Sequence, residues 1–164
     1  MAKPFSSRVV AGLLVSAVLI VLDIVLLHYP GVPDSTRYLC RMAISFIAIL
    51  VLCLRYAQLN YGTVRFGDVF SYGLRTTAIL AFMLALYSFI YYRLIHPHPA
   101  AAEMDAAIKA IEQQGNALHE EARREAENAA ANRWIIYVSL AIFSTLIPGL
   151  LGALGGAAST RKKP

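Results

Sequence analysis

A chain of 164 residues could form one domain, but 58% of this one is hydrophobic and only 15% charged, which is too apolar for an ordinary soluble fold. The net charge of +5 does not indicate nucleic-acid binding, because the cations sit mostly at the ends of apolar stretches and no basic stripe with interleaved aromatics is present. Cys40 and Cys53 are the only cysteines; along one helix they would stand roughly 20 Å apart, too far for a disulfide, and they say nothing about compartment.

Four apolar stretches, residues 9–27, 42–59, 74–94 and 134–154, dominate the chain. Each approaches the roughly 20 helical residues that cross a hydrocarbon core, and in lipid the backbone must satisfy its own hydrogen bonds, so all four are expected to be membrane-spanning helices. The first follows Lys3 and Arg8 as a secretion signal would. It is longer than the usual apolar region of about 7–15 residues and runs into His28, Tyr29 and Pro30, so an uncleaved helix is expected.

Pro30, Gly31, Pro33 and Asp34 form a tight reversal, and the second helix then starts near Thr36 to Arg41 and closes at Gln58, Asn60, Tyr61 and Gly62. Residues 65–73 read as a short amphipathic lead-in lying in the interface ahead of the third span, with its aromatics at headgroup level. Tyr87, Tyr91, Tyr92 and Arg93 make an aromatic belt at the other end, where Pro97 and Pro99 stop the helix.

Residues 100–132 differ in kind, being rich in Ala, Glu, Gln and Arg. Met104, Ile108, Ile111, Gly115, Leu118, Ala122, Ala126 and Ala129 recur every three or four positions and give one narrow apolar stripe. One unbroken helix of this length would travel about 50 Å, yet the fourth span must re-enter beside the third, so a break is expected at Gly115 and Asn116, giving a helical hairpin. Met104, Ile108, Ile111 and Leu118 are its candidate partner contacts.

The segment Val64, Arg65, Phe66, Gly67, Asp68, Val69, Phe70, Ser71, Tyr72, Gly73 and the segment Tyr91, Tyr92, Arg93, Leu94, Ile95, His96, Pro97 resemble the amphipathic lead-in and the aromatic exit of a bacterial membrane family, the one called domain of unknown function 4199. Glu112, Gln113, Gln114 and Gly115 within a charged insert, followed by a Gly-dense last span ending in Lys and Arg, complete the likeness. It implies four spans and a bacterial cytoplasmic membrane. No activity or functional residues come with it.

Among polar residues inside the spans, Asp23 stands out, since an ionisable group at membrane depth is costly and raises a functional hypothesis. Gly12 and Ser16 share its helix face, which is expected to point into the bundle, and Arg41 enters the second span at comparable depth as a plausible partner. A structural ion pair is the plain reading, and a proton or ion relay the sharper one. His28, His96, His98 and His119 lack ligand spacing, so neither metal nor cofactor is expected. Ser45, Thr76, Thr77, Ser88, Ser139, Ser144 and Thr145 read as packing residues without a nucleophile and base set, and an enzyme is not expected. In the fourth span Gly149, Gly152, Gly155 and Gly156 follow Pro148, and the four-residue step from Gly152 to Gly156 suits close helix packing, with dimerisation or a hinge at Pro148 as alternatives.

The expected architecture is therefore all-α, a four-span integral membrane bundle with an extramembrane hairpin between the third and fourth helices. Its expected role is that of a non-enzymatic component acting through helix packing and hairpin contacts. A small transporter or channel subunit using Asp23 is the alternative. Lipid, a second copy or another membrane protein are the expected partners, and nucleic acid is not. Lys3, Arg8, Arg55, Arg65, Arg75, Arg161, Lys162 and Lys163 fall on one side of four spans, against Arg37 and Arg41 in the opposite short loop. Although the insert adds Lys109, Arg123 and Arg124 to that opposite side, both termini are expected in the cytoplasm and the hairpin across the membrane.

Overall fold

The structure, a computed structural model, describes residues 4–28, 33–60, 64–95, 109 and 119–159. Four long helices account for most of them: α1 (Pro4–His28), α2 (Asp34–Leu59), α3 (Phe66–Ile90) and α4 (His119–Ala158), with a π-helical turn at Tyr91–Ile95 after α3. All four contain a stretch long and apolar enough to cross a bilayer, at Val9–His28, Ser35–Leu59, Phe66–Ile95 and Asn132–Ala158. The protein is an all-α membrane bundle.

Two compact units divide the chain, Met1–Leu84 with Ala141–Pro164, and Ala85–Leu140. In the first, the side chains facing lipid are as apolar as those inside: Leu14, Val18 and Val21 on α1, Ile47 and Val51 on α2, Phe82 on α3, and Phe143 and Leu151 on α4 are all exposed. Water would make such a surface untenable, whereas in hydrocarbon it costs nothing. Burial of apolar area cannot then drive the helices together, and association falls to close packing and interhelical polar contacts.

The buried faces follow that rule. α4 presents Ala141, Ser144, Thr145, Pro148, Gly149, Gly152, Ala153, Gly156 and Ala157, none larger than proline or threonine. Opposite them, α3 buries Tyr72, Thr76, Thr77, Leu80 and Leu84, and α2 buries Ile49 and Cys53. A methyl group placed on Gly149 would collide with the Thr77 side chain, and one on Gly156 with Cys53. On Gly152 it would stand 2.7 Å from the Phe46 carbonyl oxygen, so there α4 rests on the backbone of α2 itself. α1 packs against α2 and closes on α3 at Gly12, where a methyl would reach within 2.9 Å of Ile79 Cγ2.

Residues 66–73, expected as a lead-in to the third span, form the opening turns of α3. The Asp68 carboxylate accepts the Arg65 N–H at 2.9 Å and so caps the helix there, while Val69 and Tyr72 are buried, the latter stacked on Tyr56 with ring centroids 4.3 Å apart. The charged segment ahead of the last span is likewise continuous with it, in one helix of 40 residues from His119 to Ala158. The expected break at Gly115 and Asn116, and the first arm of the hairpin, lie outside the described residues.

In the second unit the aromatic belt is packed within itself. Tyr92 stacks on Tyr137 at 4.0 Å, Tyr91 meets Tyr92 edge-on at 5.1 Å, and Phe89 meets Trp134 edge-on at 5.3 Å. These rings tie α3 and the π-helical turn to α4.

Candidate functional site

Four buried residues of α1, Gly12, Ser16, Leu19 and Asp23, follow one another at intervals of four, three and four, which keeps them on one helix face. On α2 the buried set is Arg41, Ser45, Ile49 and Cys53, each four residues after the last. The two faces meet in the first unit, and at one end they bring Arg41 Nη2 to 2.6 Å from Asp23 Oδ1. Both side chains are less than a tenth exposed.

Helix direction explains why these two can meet. Asp23 lies five residues before the end of α1, about 8 Å inside, and its Cβ leans back toward the α1 N-terminus and so deeper into the bundle. Arg41 lies seven residues into α2, about 10 Å, and its Cβ leans toward the α2 N-terminus and so outward. The long guanidinium arm rises from below and the short carboxylate reaches down to it. The Tyr38 ring lies one turn above, with the Arg41 guanidinium carbon 5.8 Å from its centroid. The result is a charge-assisted hydrogen bond in a medium of low dielectric, with no net charge.

Most other buried hydroxyls close on their own helix. Ser16 donates to the Leu13 carbonyl at 2.8 Å, Thr76 to Tyr72 at 2.9 Å, Thr77 to Gly73 at 2.9 Å, and Ser144 and Thr145 both to Ala141, at 3.2 and 2.8 Å. Cys53 donates its thiol to the Val69 carbonyl at 3.9 Å. Ser45 differs: it is fully buried, one turn below Arg41 on the same face, and its Oγ has no hydrogen-bond partner among the described residues. Its place four residues after Arg41 was visible in the sequence, but its burial depends on helix rotation.

Ser139 is half-buried and Ser88 fully so. His28 bonds back through Nδ1 to the Ile24 carbonyl oxygen at 3.1 Å on an exposed helix end. Among the described residues no three His, Cys, Asp or Glu side chains are grouped to hold a metal ion. Met104, Ile108, Ile111 and Leu118 lie outside the described residues, as do His96 and His98.

Among the described residues the constellation is a buried ion pair near one end of helices whose other buried faces carry mostly small residues. The model of a protein family described as a protein of unknown function, DUF4199, matches residues 9–162. The chain belongs to the DUF4199 family. The match takes in all four membrane-spanning stretches, so the Asp23 and Arg41 pair and the glycine face of α4 both fall within the DUF4199 region. No curated protein and no solved structure matches the chain.

Proposed function

We propose that this DUF4199 protein is a non-enzymatic component of a bacterial cytoplasmic membrane that acts by holding a rigid bundle and offering it to other proteins. The observation that supports this reading is where the buried polar groups spend their hydrogen bonds. Asp23 is matched by Arg41, and five of the buried hydroxyls are returned to the carbonyls of their own helices, so these groups are committed to structure. A relay needs a succession of groups able to exchange protons or ligands. The proposed contact is the segment before α4, through Met104, Ile108, Ile111 and Leu118, with a second copy or another membrane protein as partner.

Gentle detergent extraction followed by identification of stoichiometric companions tests the proposal. A companion should be retained by the native chain and lost after Ile108→Gln with Ile111→Gln, while insertion into the membrane is unchanged because the four spans supply that energy. A second reading, a small transporter or channel subunit using Asp23, draws support from the buried Ser45 hydroxyl, one helical turn from Arg41 and without a hydrogen-bond partner among the described residues. A chain that purifies alone and carries an ion flux into vesicles, with the flux lost in Asp23→Asn, would replace the first reading by the second.

A further inference from the structure

The end of the first unit where α2 finishes and α3 begins carries three exposed arginines, Arg55, Arg65 and Arg75. We propose that this end is a binding surface for the phosphate headgroups of anionic phospholipids, with Arg55, Arg65 and Arg75 as the contacts. The proposal rests on the membrane-spanning character of the helices and is independent of the role in protein contacts proposed above.

Depth is the first argument. The Phe66–Ile95 stretch has 30 residues, a length of about 45 Å, against a hydrocarbon core of about 30 Å. About ten residues of it, shared between its two ends, can therefore stand in the headgroup regions. Arg75 lies nine residues after Phe66, just inside the hydrocarbon margin, and its Cβ leans toward the α3 N-terminus, so that its long side chain carries the guanidinium out to the headgroups. Arg55 lies four residues before the end of α2, on the side of the helix away from buried Cys53, and Arg65 immediately precedes α3.

Charge is the second. Asp68 is the one carboxylate that the four-span order of the sequence puts at this end, although the chain has ten acidic residues. Its carboxylate oxygen already accepts the Arg65 N–H. Among the described residues no carboxylate forms an ion pair with any of the three guanidiniums. An interior ion pair is matched one to one, whereas this surface is cationic and left for an external anion.

The third is the aromatic setting. Tyr56 and Tyr72 stack at 4.3 Å and Phe66 and Phe70 at 6.1 Å beside these arginines in sequence, and Phe66 is exposed. Tyrosine and phenylalanine at a basic helix end mark the depth where headgroups lie. Guanidinium forks match phosphate oxygens in pairs, and the membrane supplies phosphate at this depth at high local concentration.

The test compares spin-labelled phosphatidylglycerol with spin-labelled phosphatidylcholine as lipids immobilised by the full chain in vesicles. The native chain should favour the anionic lipid, by roughly fivefold for each guanidinium engaged, and raised salt should reduce the preference. Replacing all three by Gln (R55Q, R65Q, R75Q) should remove it, the corresponding Lys triple variant should keep most of it, and Arg93→Gln at the far end of the third span should leave it unchanged. Equal immobilisation of both lipids by the native chain would overturn the proposal and favour an acidic protein surface as the partner of these arginines. Retention of the preference in the Gln variant, or its loss in Arg93→Gln, would place the binding elsewhere. Loss in the Lys variant as well would tie the preference to bundle integrity, and equally defeat the proposal.

Discussion

A lone carboxylate or guanidinium at membrane depth costs about 3 kcal/mol, and at Asp23 and Arg41 each removes most of that cost for the other. The sequence showed Asp23 plainly, because it is the only acidic residue within any of the four apolar stretches. Arg41 was legible as a neighbour in depth but not as a contact, since a short turn between helices fixes which ends are close and leaves helix rotation open. Rotation is settled by the faces that run through Gly12, Ser16 and Leu19 on α1 and Ser45, Ile49 and Cys53 on α2. For the same reason nothing in the sequence separated Ser45 from the hydroxyls that bond back to their own helices. Asp23→Ala should destabilise the bundle by about 3 kcal/mol, because Arg41 is then buried without a partner, and Arg41→Ala should do the same in reverse. The double variant should be more stable than either single one. Unfolding in mixed micelles, followed by helical circular dichroism, measures the cycle; additive losses would mean that the 2.6 Å contact contributes nothing to stability.

Elements in this protein are held by how closely their backbones approach, and α4 shows this at single-residue spacing. Gly152 and Gly155 are three residues apart, yet a methyl at Gly152 meets the Phe46 carbonyl at 2.7 Å, and one at Gly155 meets only the tip of Leu50 at 3.4 Å. Backbone cannot swing aside as a leucine methyl can. Gly152→Ala should therefore cost about 1–3 kcal/mol by forcing α4 off α2, whereas Gly155→Ala should be neutral or should stabilise the helix by up to about 1 kcal/mol. Thermal unfolding of the two variants in one detergent decides it, and equal midpoints would refute the close-approach account. The glycine pattern was readable in sequence as a packing face, but not its partner, because the four-residue step fits a second copy as well as α2. Residues 65–73 were legible as a lead-in to the third span, but not the surface they pack on. Alternating aromatics and polar groups look amphipathic at an interface, while burial of Val69 and Tyr72 against α2 requires contacts from 16 or more residues away, such as Cys53 with Val69 and Tyr56 with Tyr72.

For the molecule as a whole, the number of spans followed from length and apolarity alone, because a membrane admits so few backbone solutions. The segment between the third and fourth spans obeys no such constraint, and its second half proved to be an extension of α4 that no composition change announced. Four crossings bring both termini to one side, and the sidedness is then a matter of charge. By the order of the four spans, Arg55, Arg65 and Arg75 are expected on that side with Lys3, Arg8 and the cluster Arg161, Lys162, Lys163, whereas Arg37 and Arg41 belong to the short opposite connection, and Arg41 is neutralised by Asp23. Because basic residues near span ends resist transfer and acidic ones weigh little, the termini should be cytoplasmic and the segment before α4 on the outer side. A chain with Cys40 and Cys53 replaced, carrying either Asn116→Cys or Lys162→Cys, reports this directly. In intact cells a membrane-impermeant maleimide should label position 116 and spare position 162 until the cells are opened. The reverse pattern would invert the protein and put Arg55, Arg65 and Arg75 on the outer leaflet, while labelling of both sites in intact cells would contradict an even number of crossings.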